Sequence, residues 1–97
     1  QSRAIYAENL RVAQKIFPDI HISPYTFYVW LNVGDDAEFC QYIYATEGIS
    51  VLPGSFLGRN GVGKGYVRLA LVYDTPTITD VLKRIRTSLQ NFQKIHK

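Results

Sequence analysis

The chain has 97 residues, of which 46% are hydrophobic and 20% charged, and its formal net charge at pH 7 is +3. This length and composition predict one globular domain with its own core and argue against a disordered protein. No apolar run approaches the roughly 20 residues of a membrane-spanning helix, and the first residues lack the pattern of a secretory signal. The single cysteine, Cys40, excludes an internal disulfide and is typical of a reducing compartment. We therefore expect a cytoplasmic protein that binds no membrane.

The first predicted element is an amphipathic helix over residues 2–17, which Pro18 ends. Apolar side chains recur along it at helical spacing, namely Tyr6, Leu10, Ala13 and Phe17. Residues 20–24 then form a short extended connector. A strand follows over residues 26–33, which are mostly β-branched or aromatic. One face carries Phe27, Val29, Leu31 and Val33, and the other carries Thr26, Tyr28, Trp30 and Asn32. Both faces are apolar enough that both should be covered.

A second helix is predicted to run to Glu47, with Gly48 in the left-handed position after it. Asp35 or Asp36 caps its start, and Asp35 with Glu38 fits a capping box. The residues expected to be buried are Ala37, Cys40, Ile43 and Tyr44.

Two further strands are predicted on either side of a glycine-rich loop. The first is the short apolar run of residues 49–52, and the second is the alternating run of residues 66–73. In the second strand, one face carries Val67, Leu69, Leu71 and Tyr73, and the other carries Tyr66, Arg68, Ala70 and Val72.

The last predicted element is a helix with the cleanest apolar periodicity in the chain, from Ile78 to Phe92. Either Thr77 with Asp80, or Thr75 with Pro76 in the first turn, caps its start. Its basic residues look like a solvated helix face and not a nucleic-acid surface; they are Lys83, Arg84, Arg86, Lys94 and Lys97. The order α-β-α-β-β-α predicts an α+β fold, with a small, mainly antiparallel three-stranded sheet covered by helices.

Several familiar sites are not supported by the sequence. The stretch from Gly58 to Lys64 matches seven positions of a phosphate-binding loop, but Gly65 replaces the required Ser or Thr and the loop opens a strand. A loop between two strands is therefore the preferred interpretation. His21 and His96 lie far apart without spaced partners, which argues against a metal site, and Cys40 fits a small core residue. We assign no catalytic, cofactor-binding or metal-binding residue.

Arg68 is the exception, because it is a charged residue in an otherwise apolar strand with no Asp or Glu within five residues. A guanidinium in such a place is costly unless an anion meets it. Two interpretations are open: a salt bridge to a distant acid such as Asp35, Asp36 or Asp74, or a rigidly held fork for a substrate carboxylate or phosphate.

The stretch of residues 51–70 resembles the C-terminal signature of class I/II aminotransferases, which are fold-type-I enzymes that depend on pyridoxal phosphate (PLP). The resemblance is carried by Pro53-Gly54, Phe56, Gly58 and an arginine after a glycine-containing loop. The first helix, first strand and last helix also resemble elements of that family's small domain. The loop resembles the branch of succinyldiaminopimelate aminotransferases, which would place the protein in lysine biosynthesis.

The resemblance implies a role for two residues. Arg68 matches the arginine that binds the α-carboxylate of the amino-acid or 2-oxo-acid substrate, and Phe56 matches a residue close to the substrate. Arg59 and Lys64 have no such counterpart and are expected to face solvent.

The resemblance also implies that residues 1–97 are one domain, the C-terminal small domain of a longer homodimeric enzyme. The large domain, with the lysine, phosphate cup and aspartate that hold PLP, is absent from it. We expect these residues alone to bind no PLP, to be inactive and to self-associate. The alternative is a free-standing α+β binding module that contacts an anionic partner through its basic loop and tail.

Overall fold

A computed structural model describes residues 3–22, 27–56 and 63–95. These residues form three α-helices, four strands and one short 3₁₀ turn. The elements in chain order are α1 (Arg3–Ile16), β1 (His21–Ile22), β2 (Tyr28–Asn32), α2 (Asp36–Glu47), β3 (Leu52–Pro53), the 3₁₀ turn (Gly54–Phe56), β4 (Tyr66–Ala70) and α3 (Thr75–Ile95).

The strands form one antiparallel sheet in the order β1-β2-β4-β3. Its centre is the pairing of β2 with β4, in which Tyr28 lies opposite Ala70 and Asn32 lies opposite Tyr66. The predicted α+β fold is confirmed. The predicted count of three strands was one too low for the described residues, because His21 and Ile22 pair with Trp30 and Val29 and so form β1. The sequence signal for such a strand is weak, since two residues, one of them polar, show no alternation.

The two faces of the sheet differ in burial. Along β4, half-buried and buried residues alternate strictly, so that Val67 and Leu69 point into the core while Tyr66, Arg68 and Ala70 lie on the other face. The core face joins the buried side chains of the helices in a single cluster that includes Val29, Leu31, Phe39, Ile43, Leu71, Ile78, Leu82 and Ile85. The helices therefore cover one face of the sheet, and the second face is covered only in part.

Helix α2 begins and ends as predicted, but a different face of it is buried. The Asp35 carboxylate accepts a hydrogen bond from the Glu38 amide at 3.1 Å, and Gly48 has a φ of 68°. Of the residues expected to be buried, Ile43 is in the core, whereas Tyr44 is 66% exposed. Phe39 takes its place and packs edge-to-face on Phe92 of α3, with ring centroids 5.3 Å apart. Helix α2 has apolar residues on most sides, so its contact with α3 decides which side is buried.

The cap of α3 differs from both predicted alternatives. The Asp74 carboxylate accepts a hydrogen bond from the Thr77 amide at 3.2 Å and another from the Thr77 hydroxyl at 2.8 Å. Asp74 therefore caps the helix from the position before Thr75. The strand before it is shorter than predicted, and Tyr73, which was expected to share the face of Val67, is 58% exposed.

A buried polar side chain connects α1 to the segment between β4 and α3. Asn9 is completely buried, and its amide group donates hydrogen bonds to the carbonyls of Leu71 at 3.2 Å and Tyr73 at 2.7 Å. Its carbonyl oxygen accepts a hydrogen bond from the Thr75 hydroxyl at 2.7 Å. All of its polar atoms are thus used to hold the first helix against the rest of the domain.

Some predictions concern residues that lie outside the described part of the chain. They are those for Ser2, Thr26, Gly58, Arg59, Gly61, His96 and Lys97. Among the described helices, none is both long enough and apolar enough to cross a lipid bilayer.

Candidate carboxylate-binding site

Arg68 lies in the middle of the half-covered face of the sheet. The strand pairing places His21, Trp30, Arg68 and Leu52 in one row across the four strands. Tyr28 and Tyr66 lie on the same face, one alternation away on either side of that row. We call this set of residues the aromatic face: His21, Tyr28, Trp30, Leu52, Tyr66 and Arg68. On this face the rings of His21 and Tyr66 are in edge-to-face contact, with their centroids 5.4 Å apart.

The guanidinium of Arg68 stacks on an aromatic ring. Its central carbon lies 4.0 Å from the centroid of the Tyr28 ring, a distance typical of a cation–π contact. Among the residues that the structure describes, no carboxylate oxygen lies within 4.0 Å of Arg68. The ring orients the guanidinium without neutralising its charge.

The three acids proposed as salt-bridge partners of Arg68 have other roles. Asp35 caps α2 and Asp74 caps α3. The Asp36 carboxylate accepts hydrogen bonds from the backbone amides of Ser55 at 2.8 Å and Gly65 at 3.2 Å. The structural interpretation of Arg68 therefore finds no support in the described residues.

Phe56 lies at the end of the 3₁₀ turn and is 78% exposed. Leu52, four residues before Phe56, lies directly opposite Arg68 on the neighbouring strand. Phe56 also borders a mainly apolar cleft of about 350 Å³ between α2 and β3, together with Ala37, Cys40, Gln41, Tyr44, Ser50, Val51 and Pro53. An exposed ring of this size is free to contact a ligand or another part of a larger protein.

The segments on the two sides of residues 57–62 meet in a tight backbone contact. A Cβ atom built on Gly54 would lie 2.1 Å from the carbonyl oxygen of Gly63, so only glycine fits at position 54. Gly65 has a φ of 89°, and its carbonyl accepts hydrogen bonds from the amides of Val33 and Gly34. Position 65 therefore also favours glycine. We call Asp36, Gly54, Ser55, Gly63 and Gly65 the neck.

Two groups near the neck have shifted pKa values. Burial by itself raises the pKa of Asp36, but hydrogen bonds from Ser55 and Gly65 outweigh burial, so the pKa of this carboxyl lies below its ordinary value. Burial, and to a lesser extent the charge of Asp36, raise the pKa of the half-buried Cys40 thiol to about 11. Cys40 is thus a protonated thiol at neutral pH and a poor nucleophile.

Only the last residues of the stretch that matches a phosphate-binding loop lie in the described part of the chain. Residues 63–65 form a turn and lead directly into β4, not into a helix. At residues 63–65 the chain therefore lacks the helix N-terminus that a phosphate-binding loop uses.

The described residues do not fit a PLP site of their own. A lysine that forms a Schiff base is usually desolvated in a pocket. The described lysines are all exposed: Lys15, Lys64, Lys83 and Lys94. The guanidinium of Arg68, by contrast, has the chemistry to bind an anion.

Two features of the site were missed from the sequence. Tyr28 was placed on the same face as Trp30, and with Arg68 on the neighbouring strand this pattern could have indicated a ring under the guanidinium. Asp36 was considered only as a helix cap or as a partner of Arg68. Its actual partners are backbone amides 19 and 29 residues away, for which a sequence carries no local signal.

The chain is similar in sequence and in structure to known aminotransferases. An LL-diaminopimelate aminotransferase from Aquifex aeolicus is 32% identical over 91 residues, covering 87% of this chain and 23% of the relative. The structure of the aminotransferase AspB from Helicobacter pylori matches with a TM-score of 0.84 and 50% identity, over 92% of this chain and 24% of that one. The chain matches the C-terminal region of PLP-dependent aminotransferases.

The chain is also similar to a structure from the branch of succinyldiaminopimelate aminotransferases, which the loop resembles. A structure of a probable N-succinyldiaminopimelate aminotransferase from Thermus thermophilus is 28% identical with a TM-score of 0.67, over 87% of this chain and 24% of that one. No protein-family model matches the chain. The chain spans 23% of the length of the curated aminotransferase from Aquifex aeolicus.

Proposed function

We propose that this chain is the substrate-carboxylate-binding part of a PLP-dependent aminotransferase that moves an amino group between an amino acid and a 2-oxo acid. Arg68 binds the α-carboxylate, and Phe56 contacts the substrate beside it. The observation that carries the proposal is the charge of Arg68, which meets no carboxylate among the described residues although the residue is half-buried on the aromatic face.

The guanidinium of Arg68 has the shape and charge to bind a carboxylate. Its planar N–H groups match the two oxygens of a carboxylate, and such charge-assisted pairs are among the stronger hydrogen bonds in proteins. The Tyr28 ring contacts the guanidinium of Arg68, and no carboxylate among the described residues pairs with its N–H groups, which leaves them for a ligand. A strand in the middle of the sheet holds this fork more rigidly than a loop would.

The remaining parts of the proposal concern the whole enzyme. PLP, when bound, supplies the electron sink for amino transfer, and we place its lysine, phosphate and ring-nitrogen partners outside these 97 residues. The complete enzyme is proposed to be a cytoplasmic homodimer, acting on diaminopimelate-type substrates as the names of its relatives suggest. The 97 residues alone are proposed to bind no PLP and to catalyse no transamination. A saturable absorbance change on titration with PLP, together with turnover of an amino acid, would contradict this.

The test is Arg68→Lys in the full-length protein, assayed with the best amino donor from a screen of the common amino acids. Lysine keeps the charge but loses the planar fork, so we expect kcat/KM to fall roughly 30- to 1,000-fold, the equivalent of about 2–4 kcal/mol. PLP content and thermal stability should stay unchanged, because Arg68 meets the substrate and not the core.

The matched control is Arg11→Lys, which makes the same change at an exposed arginine whose partner is Glu8. It should leave kcat/KM as it is in the wild type. If Arg68→Lys lowers the melting temperature while activity per folded molecule stays normal, Arg68 is a structural residue and the proposal fails. The alternative of a free-standing module that binds an anionic partner would then regain support.

A further inference from the structure

We infer that Asp36 is a positioning residue for substrate binding: its buried carboxylate fastens the turn that carries Phe56 to the start of the strand that carries Arg68. This inference rests on the proposed function, in which only Arg68 and Phe56 have a role, and it gives a role to Asp36 as well. Asp36 is only 4% exposed, and nothing in its own helix requires a buried carboxylate, since Asp35 already caps α2.

In the neck, the Asp36 side chain is hydrogen-bonded to two separate backbone segments. One oxygen of Asp36 accepts the amide hydrogen of Ser55 at 2.8 Å, and the other accepts the amide hydrogen of Gly65 at 3.2 Å. Ser55 precedes Phe56 in the 3₁₀ turn, and Gly65 precedes β4, in which Arg68 is the third residue. A single side chain thus joins the two segments that the proposed function requires to act together.

Apart from the bonds to Asp36, the hydrogen bonds that the described residues show between these two segments belong to the short pairing of β3 with β4, which makes the attachment important. Strand β3 pairs with β4 through two residues only, and one of them is Pro53, which has no amide hydrogen to donate. The backbone contact between Gly54 and Gly63 shows how closely the segments approach, but it involves no hydrogen bond between the two. Strand β4 is itself held in place by five paired residues of β2. The part that Asp36 positions is therefore the Phe56 turn, relative to a fixed Arg68.

An ionised carboxylate suits this task better than a neutral group of the same shape. Both of its oxygens accept hydrogen bonds, so both amides are satisfied at once. In Asp36→Asn, one of the two amides would face the NH₂ group of the new side chain and lose its acceptor. A buried amide without an acceptor is unfavourable, so that end of the turn should move away from the strand.

The experiment compares Asp36→Asn with Asp35→Asn in the full-length protein with PLP bound. Asp35→Asn makes the same chemical change one residue earlier, at an exposed cap where asparagine serves equally well. We expect Asp36→Asn to raise the KM of the amino donor roughly 5- to 100-fold, with a smaller change in kcat and unchanged PLP content. Asp35→Asn should match the wild type.

A double-mutant cycle with Phe56→Ala separates positioning from general stability. If Asp36 acts through the Phe56 turn, Asp36→Asn should change KM by less than about twofold once Phe56 is already alanine. The same fold-change in both backgrounds would overturn the inference, and so would a wild-type KM in Asp36→Asn. Loss of activity in Arg68→Lys alongside a neutral Asp36→Asn would overturn this inference alone. If Arg68→Lys is fully active, or if the wild-type protein transaminates nothing, the proposed function and this inference both fall.

Discussion

The Arg68 guanidinium lies over the ring of Tyr28, with its central carbon 4.0 Å from the ring centroid. The two residues lie on neighbouring strands and on the same face of the sheet, but they are not directly opposite each other, since Trp30 occupies that position. The contact is therefore diagonal, within the reach of a long side chain and an aromatic ring. It holds the guanidinium of Arg68 against the Tyr28 ring.

Under the proposed function, Tyr28 orients the residue that binds the substrate. In the full-length protein, Tyr28→Leu should lower kcat/KM for the amino donor roughly 2- to 30-fold, because a cation–π contact contributes about 0.5–2 kcal/mol. Tyr73→Leu, the same change at a tyrosine that is 58% exposed, should have no effect. Steady-state kinetics on both variants checks this. Equal activity in the two variants would show that Tyr28 does not orient Arg68.

The buried carboxylate of Asp36 should make stability depend on pH. Its pKa in the folded protein lies below the ordinary value of 3.8, so folding is favoured by the ionised form. This contribution is fully present above about pH 4 and is lost as the pH falls through the folded pKa. Denaturant titrations give the free energy of unfolding at pH 7 and at pH 3. Between pH 7 and pH 3, this free energy should fall more in the wild type than in Asp36→Asn. A difference between the two proteins that is the same at both pH values would contradict this.

The buried hydrogen bonds of Asn9 should contribute measurably to folding. Asn9→Ala leaves the carbonyls of Leu71 and Tyr73 without their donor, so we expect a loss of about 1–3 kcal/mol in the free energy of unfolding. Gln14→Ala, at an exposed position of the same helix, should change the free energy of unfolding by less than about 0.5 kcal/mol. Urea denaturation measures both. Equal values for the two variants would mean that water replaces the Asn9 contacts at little cost.

The 97 residues alone should self-associate through the aromatic face. The rings of Tyr28, Trp30 and Tyr66 are only half-buried there, and apolar patches beyond a few hundred Å² are unusual on monomers. Sedimentation over a concentration series should show mass increasing with concentration, and Trp30→Glu should shift the protein towards the monomer. Tyr44→Glu, on a different surface, is the control. If the protein is a monomer at every concentration, the aromatic face does not mediate self-association and the prediction is wrong.

The parts of the fold that were predicted correctly are those with a strong local signal. In α3, the apolar spacing identified Ile78, Leu82, Ile85 and Phe92, which are all buried. The prediction of which face of α2 is buried was wrong, because this helix has apolar residues on most sides. Only the tertiary contact between Phe39 and Phe92 determines which of these sides is buried. Strand β1 was missed because its pairing depends on β2.

A candidate site can be singled out from the sequence where a residue conflicts with its surroundings. Arg68 is such a residue because a charge in an apolar strand is unfavourable, and the role that the resemblance implies for it stays a prediction. The contribution of Asp36 could not be found in this way, because an aspartate at the start of a helix looks like an ordinary cap. Its burial depends on the approach of Ser55 and Gly65, which is decided by the tertiary structure.

The most direct test of the account asks whether Arg68 recognises a carboxylate. The full-length protein and its Arg68→Lys variant are each assayed with the best amino donor and with the α-carboxamide of that donor, which has nearly the same shape but no negative charge. Because the fork binds the charged group, the wild type should strongly prefer the acid, and the variant should lose at least about tenfold of that preference in kcat/KM. An unchanged preference in the variant would contradict the assignment of Arg68 as the carboxylate-binding residue.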